Sequence, residues 1–214
     1  MSGCLRSIGC LVVLAVLAVV GWFSRDIWLP RVTHAPPAPA LAWEPVTPDQ
    51  TDHAKRVVES LSSKSGPVFA NLTPAEASAL VLGPLQERNP GTIERGEAAI
   101  VGKSLLVRAT VDVSQLNGLD ILGPLAGAIG KRPRVVLTGD LEIIGPGVGQ
   151  FRVLDATIGE IHVPQQLIPQ LVTKIGGIKR PATAARNGVV FAIPLYVGDV
   201  RVGKGHVTLY KSVK

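Results

Sequence analysis

The sequence predicts an α+β fold, in which a curved antiparallel sheet of about five or six strands packs with two N-terminal helices and one later amphipathic helix. Three observations lead to this prediction. Apolar residues recur with a helical period before about residue 92 and with a period of two after it. Helix-start signals stand at Thr47 and Thr73, and an apolar helical stripe follows Pro164. A single transmembrane helix is expected to precede the domain.

The first 29 residues are predicted to form a membrane anchor. An uncharged run of 16 residues, IGCLVVLAVLAVVGWF, begins at Ile8, and it reaches a spanning length of roughly 20 residues when extended to Leu29. Arg25 would then extend towards the lipid head groups. The alternative is a cleaved signal peptide, because Arg6 supplies a positively charged start. Bulky aromatic residues stand where signal peptidase needs small ones, so we favour an uncleaved anchor.

A proline-rich linker is predicted to separate the anchor from the folded part. Residues 30–48 contain six prolines and show no hydrophobic period, which is typical of a semi-rigid spacer. Residues 49–214 then form the α+β domain, which we expect outside the cytoplasm. Cys4 and Cys10 both precede the domain, so a disulfide, a cysteine-ligated metal site and a thiol nucleophile are excluded from it.

Two helices are predicted in the first part of the domain. Thr47 is a candidate N-cap, Pro48 follows at the first helical position, and Gly66 ends this helix. The residues from Thr73 to Glu76, Thr-Pro-Ala-Glu, have the sequence of a capping box. The predicted buried positions are Ala54, Val57, Val58 and Leu61 in the first helix and Ala77, Leu80, Val81 and Leu85 in the second.

Alternating apolar residues predict the strands of the sheet. Residues 105–113 and 135–143 each place their apolar side chains on one face. Residues 151–163 change parity twice, which indicates β-bulges within one long strand. Residues 189–202 and 206–210 are predicted to pair as a hairpin through the turn Gly203-Lys204-Gly205.

Two further helices are predicted between the strands. Residues 119–130 are apolar and glycine-rich, which favours a short helix lying on the sheet. Residues 165–176 have an amphipathic helical pattern. Pro169 is expected to make this helix imperfect by removing one backbone hydrogen bond.

The composition favours a non-enzymatic protein without a cofactor or a bound metal. The four histidines are scattered without ligand spacing, and Asp140 and Glu142 lie on the exposed side of a strand. The segment GEAAIVGKS, from Gly96 to Ser104, has the wrong spacing for a phosphate-binding loop and lies within a strand pattern. A nucleophile elbow is also missing from the sequence.

The charge is asymmetric along the chain. Residues 1–100 contain eight Lys/Arg and nine Asp/Glu, whereas residues 101–214 contain fourteen and seven. A basic C-terminal half indicates an anionic partner or, equally, a solvated surface. Nucleic acid is disfavoured by the membrane segment and by the lack of an RNP-like aromatic motif.

The aliphatic sheet face and the helix 165–176 are candidates to enclose a groove for acyl chains, with basic residues at its rim to meet phosphate head groups. The predicted lining consists of Leu167, Ile168, Leu171, Val172 and Ile175 from the helix and Val107, Val111, Leu137 and Leu141 from the strands. The predicted rim consists of Lys131, Arg132, Arg134, Lys174, Lys179 and Arg180. The alternative is that the helices cover this face and close a core.

Two segments add to the evidence from the predicted anchor and the alternating strands. They are Leu-Thr-Pro-Ala-Glu at Leu72–Glu76 and Gly-Glu-Ile-His-Val-Pro-Gln-Gln-Leu-Ile at Gly159–Ile168. Residues 67–178 thereby resemble small bacterial membrane-anchored extracytoplasmic proteins with a half-barrel related to tubular lipid-binding domains. Pro169 departs from the long central helix of that fold. The resemblance implies a periplasmic, single-pass protein that binds or shuttles lipid. The alternative is an envelope scaffold or assembly factor that docks a protein partner through its basic C-terminal half.

Overall fold

A computed structural model of the chain describes residues 41–88, 90–112, 129–176 and 180–212. All of them belong to one compact unit, Leu41–Lys214. Within these four ranges no helix has the length and apolar character that crossing a membrane requires. The predicted anchor, residues 1–29, and most of the predicted linker lie outside the described residues.

The described part of the chain contains helices and antiparallel strands, as the α+β prediction requires. The helices are α1 (Pro48–Ser60), α2 (Pro74–Arg88) and α3 (Ile168–Gly176). The strands are β1 (Glu44–Pro45), β2 (Phe69–Leu72), β3 (Ile93–Val101), β4 (Ser104–Val111), β5 (Arg134–Gly145), β6 (Val148–Ile158), β7 (Ile161–His162), β8 (Gly188–Ala192), β9 (Val197–Gly203) and β10 (His206–Lys211).

These strands form two sheets, whereas the sequence predicted one sheet of about five or six strands. The large sheet has the order β1-β3-β4-β5-β6-β7, and β8 also pairs with β6. The small sheet has the order β2-β10-β9. The prediction of a single sheet was wrong because β2 and β10 are distant in sequence, with Leu72 pairing with Val207. Local periodicity does not indicate which strands will pair over such a distance.

Both N-terminal helices begin where their capping signals predict. Thr47 caps α1 together with Gln50, and each side chain bonds to the backbone of the other residue. In α2 the Thr73 backbone N–H donates to Glu76 Oε2 at 2.8 Å, and the Glu76 N–H donates to Thr73 Oγ1 at 3.3 Å. Glu76 is only 5% exposed and also contacts His53 Nδ1 on α1. The second capping box therefore joins the two helices as well.

The late helix starts three residues later than predicted. Because α3 begins at Ile168, Pro169 stands in its first turn, where a backbone N–H has no intrahelical acceptor. The expectation that Pro169 removes a helical hydrogen bond was therefore wrong. The predicted short helix 119–130 lies almost entirely outside the described residues.

The two predicted parity changes in residues 151–163 have different structural causes. The first is a β-bulge, because Thr138 pairs with Asp155 and Gly139 pairs with Val153, which leaves Leu154 as the extra residue. The second is a turn that separates β6 from β7, with Gly159 at a φ of +63°. The prediction of one continuous strand was wrong for this reason.

The predicted strand 189–202 is likewise divided. Its first part is β8 of the large sheet and its second part is β9 of the small sheet, with a turn that includes Leu195 and Tyr196 between them. The predicted hairpin that follows is confirmed: Gly203 pairs with His206, and Lys204 and Gly205 both have positive φ angles in the turn.

The core lies between the large sheet and a second layer made of the small sheet and α2. Phe151, Val153 and Leu105 of the large sheet are in one buried cluster with Leu72 and Val207 of the small sheet. Helix α1 packs on α2, and α3 packs on β8 and β6. The void between Leu141, α2, β8 and the small sheet measures about 10 Å³, which is close to the room for one water molecule. The interior is therefore filled by protein at this place.

Gly139 provides a test of this packing. A Cβ atom there would lie 2.4 Å from Arg152 O and 2.8 Å from Phe151 Cζ. We expect Gly139→Ala to lower the free energy of unfolding of the fragment Leu41–Lys214 by about 1–3 kcal/mol in urea denaturation, because the strand and the ring must move apart.

Gly203→Ala is the matched control for Gly139→Ala. Gly203 is the last residue of β9, and a Cβ atom there would meet nothing within 4 Å outside its own chain neighbours. The control should raise stability by up to about 0.5–1 kcal/mol, as alanine does in place of glycine in a strand. Equal effects of the two substitutions would contradict the close packing at Gly139.

Candidate interaction surface

The strand residues of the predicted groove lie on the inner face of the large sheet. Val107 pairs with Leu137, and Leu141 pairs with Phe151 on the same face. Val107 and Leu141 are buried, and Leu137 is partly buried against them. Val111 lies at the end of β4, where it pairs with Ile93. Val107, Leu137 and Leu141 therefore share one apolar environment, which both a groove and a closed core would require, whereas Val111 is outside the buried cluster.

The helical residues of the predicted groove pack into the same cluster. Ile168, Leu171 and Val172 are buried, and Leu167 is partly buried beside them. The side chains of Lys174 and Ile175 and the whole of Lys179 lie outside the part that the structure describes.

The predicted basic rim is divided between two places. Three of its residues, Lys131, Arg132 and Arg134, are exposed near the start of β5. This place adjoins the C-terminal end of β6, because the Gly159 N–H donates to Arg134 O at 2.7 Å. Arg180 is bound to Ala185 O, and Ala185 N donates to Gln150 Oε1 near the N-terminal end of β6.

The two parts of the predicted rim are therefore far apart. Gln150 and Ile158, at the two ends of β6, are eight residues apart, which corresponds to roughly 25 Å along an extended strand. Arg132 also lies 3.7 Å from carboxylate oxygens of Glu94 and Asp112. The described basic residues therefore do not converge on one phosphate position.

The outer face of the large sheet contains cross-strand ion pairs. Arg152 Nη2 lies 3.2 Å from Asp140 Oδ2 and 2.8 Å from Glu142 Oε1. Arg108 binds the Glu97 carboxylate, and its guanidinium lies 4.0 Å from the centre of the Trp43 ring. Such half-exposed pairs stabilise adjacent strands modestly. The carboxylates that the sequence placed on an exposed strand face are thus bound to arginines.

The outer face of the small sheet is different, because it exposes apolar and aromatic side chains. Val68 and Phe69 are 63% and 53% exposed. The Phe69 and Tyr210 rings lie 6.3 Å apart, centre to centre, on the paired strands β2 and β10. The Arg201 guanidinium lies 5.1 Å from the centre of the Tyr210 ring, within the range of a cation–π contact.

A third exposed side chain, Leu195, is 71% exposed in the turn before β9, and its Cδ2 atom lies beside Gly147 in the β5–β6 turn. It precedes Tyr196, whose carbonyl accepts from Ser212 N at 2.7 Å just beyond β10. On the other side of β10, Lys211 N donates to Val68 O at 2.8 Å. We call the exposed residues Val68, Phe69 and Leu195, together with the half-buried Tyr210, the apolar tip.

Cations outnumber anions around the apolar tip. Lys64 is exposed in the loop whose Ser63 carbonyl accepts from Lys211 Nζ. Two anions lie in this region: Asp199, which pairs with Arg201 at 3.1 Å, and Glu59, whose carboxylate acts on Tyr196. Burial raises the pKa of the Tyr196 hydroxyl, and the Glu59 carboxylate adds to this effect. Glu59 therefore faces the same end of the small sheet.

The apolar tip was not predicted, although the alternating pattern of β10 contains one indication of it. In β10 the residues Val207 and Leu209 point inwards, so that Tyr210 lies on the polar side of the alternating pattern. Phe69 belongs to a strand of four residues, which is too short to show a period.

A half-open groove of about 260 Å³ lies elsewhere, between the start of α1, the end of α2 and β3. Its walls mix apolar residues such as Val46, Leu82 and Ile93 with the polar side chains of Asp52 and Gln86. None of the predicted groove residues lines it. Within the described ranges no cluster of three metal-ligating side chains occurs.

The three histidines within the described ranges have separate surroundings. His162 Nε2 lies 3.3 Å from Asp155 Oδ1 on the outer face, and His206 Nδ1 lies 3.2 Å from the Lys204 carbonyl oxygen. His53 contacts the buried Glu76.

No family model, curated protein or solved structure matches this chain. Its class therefore follows from the fold alone: an α+β domain with an antiparallel large sheet covered on its inner face by a small sheet and helices. Its particular feature is the apolar tip of the small sheet.

The Glu97–Arg108 pair generates a test of the outer face. The hydrogen bond from Arg108 holds the pKa of the Glu97 carboxyl below its usual value. A lowered pKa in the folded state stabilises the fold above the unfolded-state pKa, and this contribution is lost as the pH falls through the folded-state pKa. We expect Arg108→Gln to raise the Glu97 pKa in a carbon-13 NMR titration of the side-chain carboxyls.

Arg201→Gln is the control for that titration, because Arg201 pairs with Asp199 on the other sheet. An unchanged Glu97 pKa in Arg108→Gln would show that the contact between the two side chains does not persist in solution.

Proposed function

We propose that the protein is a non-enzymatic docking domain, held at the extracytoplasmic side of a membrane by residues 1–29. Its docking surface is the apolar tip of the small sheet. The observation on which the proposal depends is the exposure of Val68 and Phe69 beside Tyr210 and a group of cations. Contiguous apolar surface with a polar rim is typical of an interaction site.

The chemistry of the tip supports this function. Aromatic residues and arginine are enriched in the centres of interfaces, and both are present here in Phe69, Tyr210 and Arg201. The surface combines Val68 and Phe69, at the start of β2, with Tyr210 of β10, and Lys211 follows Tyr210 directly.

Lipid shuttling is a second candidate, because Ile168, Leu171 and Val172 place an aliphatic stripe against the inner face of the sheet. For acyl chains to enter, α3 would have to separate from β6 and β8. Ligand cavities for molecules of this size usually measure about 300–1,000 Å³. The void at Leu141 is far smaller than that, and it lies between α2 and the small sheet and not beneath α3.

Native mass spectrometry separates the two functions. We expect the fragment Leu41–Lys214, exported and purified without detergent, to give the mass of the unliganded chain after incubation with membrane phospholipids. An added mass that fragments as one phospholipid would favour the shuttle. Leu171→Ala is the matched variant, because it shortens the aliphatic stripe of α3 without burying a charge; it should weaken such an adduct and leave a docking surface at the small sheet intact.

Photo-crosslinking in intact cells of the host tests the docking proposal directly. p-Benzoylphenylalanine at position 69 of the full chain is expected to give a light-dependent adduct, because the side chain would lie inside the docked surface. Leu154 provides the control position, since it is 39% exposed but lies on the outer face of the large sheet. Equal adducts at both positions, or none at position 69, would reject the apolar tip as the docking surface.

A further inference from the structure

We infer that the partner of the apolar tip is the anionic surface of the bilayer to which the chain is anchored, so that the small sheet lies against lipid head groups. This inference rests on the proposed docking function and specifies its partner. The juxtaposition that leads to it is the position of the exposed Val68 and Phe69 beside Tyr210, with Arg201 over the Tyr210 ring and Lys211 next to it on β10.

The side chains at the tip match the chemistry of a membrane interface. Val68 and Leu195 are the two most exposed large apolar residues of the described chain. Phe69 and Tyr210 add an aromatic pair in which the Tyr210 hydroxyl provides a polar end. Tyrosine and tryptophan are enriched at the level of the lipid head groups because one end of the ring is apolar and the other is polar.

The charge of the surface is complementary to anionic lipid. Lys64 and Lys211 border the apolar residues, and Arg201 and Asp199 neutralise each other on the sheet face. Glu59 is the remaining anion near Tyr196. Each lysine near an anionic membrane surface contributes about 1 kcal/mol to association. This corresponds to about a fivefold change in the ratio of docked to undocked domain.

The length of the connection permits this contact. Fourteen residues separate Leu29, the end of the predicted anchor, from Glu44, where β1 begins. Such a segment spans at most about 50 Å, and a domain of this size is about 40 Å across. The tether therefore holds the domain next to the bilayer, where a weak surface association is intramolecular and a high local concentration of lipid favours docking.

The exposed residues Lys131, Arg132 and Arg134 form the competing membrane-facing surface. Arg132 is shared with the carboxylates of Glu94 and Asp112. None of the exposed large apolar residues belongs to this described segment at the start of β5. A bilayer contact there would depend on charge alone, whereas the apolar tip adds burial of apolar surface.

The experiment uses the full chain in nanodiscs. Cys4 and Cys10 are replaced by serine, and a single cysteine for an NBD fluorophore is introduced by Pro67→Cys beside the tip or by Glu160→Cys beside Arg134. Discs contain phosphatidylcholine with or without phosphatidylglycerol, and a doxyl-labelled lipid quenches the fluorophore where it reaches the bilayer. We expect quenching at position 67 in phosphatidylglycerol discs, less in phosphatidylcholine discs, and none at position 160.

Substitutions at the tip give the second readout. Lys64→Gln and Lys211→Gln should each lower the ratio of docked to undocked domain about fivefold in phosphatidylglycerol discs, whereas Lys103→Gln, in the β3–β4 turn, should leave it unchanged. Quenching at position 160 instead of 67, no quenching at position 67, or no effect of the lysine substitutions would overturn the inference. A chain that associates with neither kind of disc would contradict both the predicted membrane anchor and the inference.

The same result distinguishes the inference from the docking proposal. If position 69 crosslinks to a protein in cells while the fluorophore at position 67 stays unquenched, the apolar tip docks a protein, and only the lipid partner is rejected.

Discussion

The close contact between Gly139 and Phe151 determines how the large sheet can pack. Without a side chain at position 139, the Phe151 ring lies against β5, where a Cβ atom would be only 2.8 Å away. Three residues after Phe151, the β-bulge at Leu154 turns the Leu154 side chain outwards. Ala156, two residues further on, faces the inner side again. Because a bulge bends its strand, the β5–β6 hairpin, the longest among the described strands, curves here. Its inner face can then be covered by the small sheet.

Signals that act over a few residues predicted the local structure well. The capping pairs at Thr47 and Thr73 and the turn at Lys204 are complete within four residues, so their sequences are sufficient to indicate them. The division of strands between two sheets was not predictable in this way. Phe69 pairs with Tyr210 across most of the domain, and β8 and β9 differ in partner although they follow one another. Such pairing depends on the closure of long loops and not on local periodicity.

The candidate site shows the same limit. Val107, Leu141 and Ile168 were predicted to face an apolar environment, and they are buried. An alternating pattern is identical for a strand that lines a groove and for one that lines a filled core, since the pattern reports only which face avoids water. What decides between them is the layer on the other side. Near Leu141 that layer is the small sheet, whose packing leaves about 10 Å³.

The location of the charges explains why a count along the sequence does not identify a surface. Several arginines of the basic half are bound internally: Arg108 to Glu97, Arg152 to two carboxylates and Arg180 to a loop carbonyl. Lys64, which belongs to the half with a balanced charge, lies instead beside the apolar tip. Adhesion to an anionic surface depends on cations next to apolar side chains, because the two contributions act on the same contact. The fold, by bringing β2 next to β10, creates that combination from two distant parts of the chain.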